Sequence, residues 1–334
     1  MSAFTLTRES APEYLAGRGE PLSPSATCRE LGGGVSNTVV LVEDGDRRFV
    51  LKQSLPQLRT EDEWLADRSR IYRERDGLIA AAKLLPSGWV PRVLWSDDDA
   101  YLYAMEAFAG DARSWKDDLL AGRVDDAVAR RVGVALGLTI RGSSPSLEIA
   151  EQFDDRRAFG QLRTDPYYLT VGRRHPSIQA DVDDWVAESD GRRVALVHGD
   201  WSPKNMIVDG SRVVFIDYEC AHWGDPSFDS GFVLNHLLLK AFHRPELADR
   251  YLETARSVFV WTLSVLPPEI LSWFEAATVR HLSFLMLARV DGKSPAEYLT
   301  AAERDRVRAA ALGLISERPK TLEACLAAVE QSLQ

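Results

Sequence analysis

The sequence predicts an α+β fold in two lobes, a small antiparallel β-sheet lobe with one long helix followed by a larger, mainly helical lobe. Three observations predict it. Short apolar and β-branched runs, bounded by turn residues, occupy 26–53 and 91–105. Helical periodicity governs Glu61 to Lys83 and nearly everything after Gly110. A last group of short strands, Val194 to Ile216, interrupts the helices and carries polar residues at its strand ends.

At 334 residues the chain is long enough for one large or two medium domains, each with a core. Apolar residues at 45% and charged residues at 27% describe an ordinary globular protein. The formal charge of −10 argues against binding nucleic acid, whose phosphates require a basic face, and gives no support to an anionic membrane partner. Cys28, Cys220 and Cys325 are scattered and lack metal-ligand spacing, which points to reduced thiols in a cytoplasmic protein. The N-terminus shows no basic segment followed by an apolar core, and the best apolar run, Val258 to Leu266, is too short to span a bilayer.

Taken in order, a modest helical pattern at Thr7 to Gly17 precedes a strand at Ala26 to Leu31. Gly32-Gly33-Gly34-Val35-Ser36-Asn37 follows, then Thr38 to Val42, the turn Glu43-Asp44-Gly45-Asp46, and a strand at Arg47 to Gln53. The glycines therefore sit at the tip of a β-hairpin. Gly-Lys-Ser/Thr does not follow them, so this is no Walker-type loop. Gly33, Gly34, Ser36 and Asn37 are candidates for a nest of backbone amides facing a phosphate. A flexible turn is the plainer alternative.

Lys52 ends the next strand, where a solvated edge charge is the ordinary expectation. The helix at Glu61 to Lys83 presents Trp64, Leu65, Ile71, Tyr72, Leu78 and Ile79 at helical spacing, and Glu74 falls on the same stripe. A carboxylate buried there needs a cation, and Lys52 is the obvious one. Pro91 to Trp95 and Tyr101 to Met105 read as two more strands. The linker Glu106-Ala107-Phe108-Ala109-Gly110 then divides the chain into a nucleotide-binding lobe at 1–106 and a helical lobe at 107–334. Asp125 to Arg141 is an amphipathic helix, Glu148 to Ser189 carries no nameable motif, and Trp261, Trp273 and Phe284 are expected in the helical core.

The chemistry concentrates in Val194 to Gly231. His198-Gly199-Asp200-Trp201-Ser202-Pro203-Lys204-Asn205 keeps an Asp and an Asn five apart, the spacing of kinase catalytic loops. In such loops the Asp accepts the proton of the attacking hydroxyl and the Asn amide oxygen holds Mg²⁺. Asp217 closes the following strand, where a second hard oxygen ligand is needed. Each residue alone has a simpler role as a cap or turn residue; the combination in this order does not.

This order resembles the aminoglycoside phosphotransferase and choline kinase superfamily, which shares the protein-kinase fold. The motifs that carry the likeness are His198-Gly199-Asp200 with Asn205, Ile216-Asp217-Tyr218-Glu219, and Gly224-Asp225-Pro226 with Asp229. Leu51 to Arg59 and the Glu74 helix are similar to the 5-methylthioribose kinase branch. The chain departs from that branch by having Asn205 and by lacking an adjacent arginine pair after Arg193.

The resemblance implies ATP and Mg²⁺ as cofactors, Asp200 as catalytic base, and Asn205 and Asp217 as metal ligands. Lys52 becomes a phosphate clamp held by Glu74, and Glu106, Ala107 and Phe108 the adenine hinge. Asp229 braces the catalytic loop or serves only as an N-terminal helix acid. Gly199 stands where protein kinases keep an arginine, and only seven residues separate Asp217 from Asp225, leaving little room for an activation segment. Ser202 replaces a lysine of protein kinases, so Lys204 or a second metal must offset charge on the transferred group.

The expected activity is phosphorylation of a hydroxyl on a small, sugar-like metabolite, by a monomer or homodimer with no nucleic-acid or membrane partner. Two alternatives stand beside it. One is aminoglycoside inactivation, for which Asp181, Asp183, Asp184 and Glu188 could supply an acidic lobe or merely a solvated face. The other is a nucleotide-binding regulator without turnover.

Overall fold

The computed structural model describes residues 4–32, 37–55, 67–108 and 112–333. Five antiparallel strands form the first sheet: β1 (Thr27–Glu30), β2 (Asn37–Asp44), β3 (Arg47–Ser54), β4 (Val93–Asp97) and β5 (Leu102–Glu106), in the order β1-β2-β3-β5-β4. Their alternation decides which face is which. Val40, Val42, Phe49, Leu51, Leu102 and Ala104 pack beneath helix α1 (Ala11–Gly17). Leu41, Val50, Tyr103 and Met105 face the opposite way, into the main core. Lys52 lies two residues after Val50 on β3, so the period-2 rule turns it inward with that second set.

Helix α2 (Arg70–Leu84) covers the inner face, with Ile71, Glu74, Leu78 and Ala81 buried at the i, i+3, i+7, i+10 spacing of a core stripe. It starts nine residues later than the expected Glu61. Residues 61–66, with Trp64 and Leu65, lie outside the described residues, and 67–69 form a turn in which Asp67 accepts the Ser69 N–H at 2.9 Å. That local bond offers the backbone an alternative to the helix. Ile79, expected on the stripe, is exposed. Gly77 allows α2 to close on the other lobe, since a Cβ there would stand 2.5 Å from the Tyr218 Cβ.

The second lobe begins with β6 (Arg113–Ser114), α3 (Trp115–Leu120) and α4 (Asp126–Ser143). Short pieces follow: α5 (Leu147–Gln152), α6 (Arg157–Phe159), a wide helical run at Gly160–Leu169 with π-type turns and Pro166 inside it, α7 (Thr170–Arg174) and α8 (Gln179–Gly191). The strands β7 (Ala195–Val197), β8 (Met206–Asp209), β9 (Arg212–Phe215) and β10 (His222–Gly224) carry the catalytic stretch. β8 and β9 are joined through Gly210 at φ 58°.

The chain ends in α9 (Ser227–His243), α10 (Ala248–Leu263), α11 (Pro268–Asp291), α12 (Ala301–Glu317) and α13 (Leu322–Leu333). α9 is buried along almost its whole length, a core helix on which the lobe is assembled. Phe284 is in that core, whereas Trp261 and Trp273 are half-buried. Gly292-Lys293-Ser294, a Gly-Lys-Ser tripeptide, closes α11 instead of opening a helix, so it offers no phosphate loop. No helix among the described residues is long and apolar enough to cross a membrane.

Candidate active site

Strand β3 and helix α2 bring Lys52 and Glu74 together as their patterns require, with Lys52 Nζ 2.5 Å from Glu74 Oε1. Asp217, at the end of β9, approaches the same ammonium at 2.8 Å. Glu74 is 1% exposed, and burial pushes its carboxyl up to about 7 against the pull of Lys52. Lys52 itself is held above its ordinary value: the charges of Asp217, Glu74 and Glu219 outweigh the desolvation that opposes them. Lysine is the firmly charged partner of this contact.

The loop from His198 to Asn205 is fixed by its own backbone. Gly199 has φ 76°, and a Cβ there would meet the Cys220 Cβ and carbonyl oxygen at 2.7 Å. Only glycine fits, which is the physical reason no arginine precedes Asp200. Asp229, in the first turn of α9, accepts the N–H of His198 at 2.6 Å and of Gly199 at 2.9 Å, which is bracing geometry. Burial pushes its carboxyl up to about 7 despite those bonds.

His198 Nδ1 accepts the Asp200 N–H at 3.1 Å, so Nε2 carries the proton and donates to the Ile216 carbonyl at 3.0 Å. Burial lowers this imidazole to about 4, which keeps it neutral. Trp201 stacks on Phe215 at 4.5 Å and completes the loop's floor.

Asp200 faces two cations. Arg163 Nη2 and Lys204 Nζ both lie 2.9 Å from its Oδ2, and they hold the carboxyl well below the usual carboxylate range although burial opposes them. Arg163 comes from the π-type run at Gly160–Leu169, and it also donates to the Gly199 carbonyl at 2.6 Å. Nothing in the sequence pattern singles it out. A guanidinium thus reaches Asp200 from a helical run distant in sequence.

Asn205 donates Nδ2–H to the Asp200 carbonyl at 3.0 Å, which leaves its Oδ1 for another partner. That oxygen and the Asp217 carboxylate form a hard-donor pair suited to Mg²⁺, which takes one or two protein ligands and completes its shell with phosphate and water. Among the described residues no group of three or more His, Cys, Asp or Glu converges to hold a metal, in keeping with so sparse a set. Asp217 adopts φ 72°, a left-handed conformation that turns its carboxylate back toward Lys52.

Around the rim, Asn37 Nδ2 reaches Glu219 Oε2 at 3.5 Å, and Arg70 Nε reaches the same oxygen at 3.3 Å, tying the start of β2 and of α2 to the segment after Asp217. Gly33, Gly34 and Ser36 lie outside the described residues. At the expected hinge, Glu106 is bound by Arg92 at 2.8 Å, and the Phe108 carbonyl accepts from Arg48. Ala107 is half-buried beside them. The acids on α8 are engaged elsewhere: Asp181 with Arg280 and Arg318, Glu188 with Arg192, and Asp183 with Gln179.

The fold and this arrangement are those of a small-molecule kinase. The chain belongs to the phosphotransferase enzyme family, whose model matches residues 27–263. A methylthioribose kinase of Escherichia coli O45:K1 is 28% identical over 72% of this chain and 65% of its own length, so the match spans less than two thirds of that enzyme. A choline/ethanolamine kinase family protein from Mesorhizobium loti has a TM-score of 0.53 at 18% identity, covering 97% of this chain and 99% of that one. An amicoumacin kinase, solved in complex with AMP-PNP, Ca²⁺ and Ami, has a TM-score of 0.53 at 14% identity, covering 92% and 94%.

Proposed function

We propose that this protein transfers the γ-phosphoryl group of ATP, with Mg²⁺, to a hydroxyl of a small, sugar-like metabolite. The observation that carries the reading is Lys52 held between Glu74 and Asp217, across the cleft from the Asp200–Asn205 loop. Lys52 grips the α- and β-phosphates, Asp217 and Asn205 hold the metal, and the Phe108 region receives adenine. The metal neutralises charge on the phosphates when bound.

Asp200 has its basicity lowered by Lys204 and Arg163 in this setting. Its part is to accept the hydrogen bond of the incoming hydroxyl and aim that oxygen at phosphorus, which suits a loose transition state in which little proton transfer is needed early. Lys204 and Arg163 keep the carboxylate charged and placed, and Lys204 offsets charge on the transferred group where Ser202 stands in place of a lysine. Asp229 and the neutral His198 hold the loop that presents it.

Two features support an unswitched enzyme of small molecules. Seven residues between Asp217 and Asp225 are too few for a regulated activation segment. Two of the four α8 acids, Asp181 and Glu188, are already paired with arginines, which weakens the acidic face that a polycationic antibiotic acceptor would need. The relative matched at 28% identity is a methylthioribose kinase, which favours a sugar-like acceptor.

A mass-spectrometric screen for phosphorylated products over sugars, thiosugars, amino alcohols and aminoglycosides tests the proposal, with Asp200→Ala as the blank. Product from the wild type alone supports it. Equal product from both proteins sinks it.

A further inference from the structure

We propose that α9, α11 and the loop after α11 form an anion-binding subsite two turns along α9 from the Phe232 ring that flanks the Asp200–Arg163 pair, so that the acceptor carries a carboxylate or phosphate as well as its hydroxyl; this rests on the phosphotransferase reading above.

A continuous wall leads from the catalytic carboxylate to this subsite. The Arg163 guanidinium, paired with Asp200, lies 5.8 Å from the Tyr167 ring and 5.6 Å from the Phe232 ring. One turn along α9, His236 meets Phe232 at 5.2 Å between ring centroids. The next turn carries Lys240, whose Nζ sits 5.4 Å from the Tyr298 ring. From α11, Arg289 donates to the Tyr167 hydroxyl at 3.3 Å and to Ser294 Oγ at 2.9 Å, and it also bonds the Ser294 carbonyl.

The charges do not balance. Arg163 and Lys204 are matched by Asp200, and Lys116 by Glu297. Lys240 and Arg289 have no carboxylate within ion-pair distance among the described residues. Lys240 is 1% exposed and, among the described residues, donates only to the carbonyl of His236, on its own helix, at 3.1 Å. The Arg289 Nε and the Tyr298 hydroxyl are buried with no protein partner among the described residues.

Buried cations normally have counter-charges, and a guanidinium whose bonds named above all run through Nη1, while its Nε has no partner among the described residues, keeps donors for a carboxylate or phosphate. Burial, with the neighbouring Lys116 and Arg289, pushes the Lys240 ammonium down to about 7, and a bound anion reverses that strain. A cationic acceptor would meet the same charges as repulsion.

Binding measured without turnover keeps this inference separable from the reading beneath it. The full chain, loaded with Mg·AMP-PNP, is titrated calorimetrically with D-glucose, sodium D-gluconate, D-glucose 6-phosphate, glycerol, sodium D-glycerate, glycerol 3-phosphate and kanamycin. The expected result is that an anionic member binds tighter than its neutral counterpart by about tenfold or more. Lys240→Met and Arg289→Gln remove that preference, while Lys240→Met keeps or raises the melting temperature, showing that the fold is intact. Whether gluconate and glycerate or the phosphates win identifies the anion.

No preference for any anion, a preference that survives both substitutions, or tightest binding by kanamycin overturns the subsite. Anion binding that is lost in both variants, with no phosphorylated product from any acceptor, upholds the subsite and overturns the phosphotransferase reading alone.

Discussion

Two lysines are buried to nearly the same degree in the two lobes, and the protein treats them in opposite ways. Lys52 on β3 has Glu74 and Asp217 at 2.5 and 2.8 Å and is stabilised as a cation. Lys240 on α9 has a backbone carbonyl and the Tyr298 ring, and its ammonium is pushed down to about 7. The first is complete without ligand: its carboxylates store a charge that phosphates can share. The second is left unmatched, as befits a group whose counter-charge arrives with a ligand. In the proposed reaction Asp200 is the group that connects the phosphate side to the acceptor side.

Substitution at that connecting point has the largest expected effect. Asp200→Ala lowers phosphoryl transfer roughly a thousandfold, with nucleotide affinity retained, as single-turnover kinetics and an ATP titration report. Chelation of divalent metal likewise stops transfer, and Asp217→Ala lowers metal-dependent nucleotide binding, whereas Asp200→Ala does not.

Removing the paired lysine comes next. Lys52→Met strands Glu74 and costs about 3–5 kcal/mol of stability in urea unfolding, while Lys240→Met costs none. A smaller loss separates loop strain from charge. Gly199→Ala forces a side chain into φ 76° against Cys220 and costs about 1–3 kcal/mol with a fall in kcat.

The smallest effects are pH slopes, and here the two buried bases give distinct windows. Lys240 has its folded value lowered from 10.5 to about 7, so between those limits the unfolded chain holds the extra proton and stability rises with pH. Lys240→Met flattens that rise and gains most below pH 7. His198 is lowered from 6.5 to about 4, so stability falls as pH drops from 6.5 through 4. His198→Gln reduces the acid-side slope by up to about 1.4 kcal/mol per pH unit, measured as chemical denaturation at several pH values. His222, lowered to about 3, keeps part of that slope in place.

The paired side of this comparison was legible in the sequence and the unmatched side was not. Lys52 and Glu74 each sit on a short period, two for the strand and 3.6 for the helix, so their meeting follows from local pattern and the cost of an isolated buried charge. The Asp200–Asn205 spacing and Asp217 are readable because phosphoryl transfer restricts where oxygens can stand along one loop. Arg163 depends on a wide-turn helical run that no periodicity announces.

Lys240 and Arg289 look like ordinary polar residues of two apolar helices, and only the packing of α9 against α11 reveals that neither has a carboxylate within ion-pair distance among the described residues, Glu297 being bound to Lys116. The late start of α2 and the exposure of Ile79 have a similar origin. The Asp67 bond to the Ser69 N–H holds 67–69 in a turn just before α2.

The most direct test measures both lysines on one phosphorylated acceptor, by initial rates with each substrate varied in turn. Lys52→Met should raise the KM for ATP and lower kcat while the acceptor KM stays near the wild-type value. Lys240→Met should raise the acceptor KM while the KM for ATP is unchanged. Both substitutions acting on the ATP parameters, or Lys240→Met leaving the acceptor KM untouched, would contradict the division of labour drawn between these two sites.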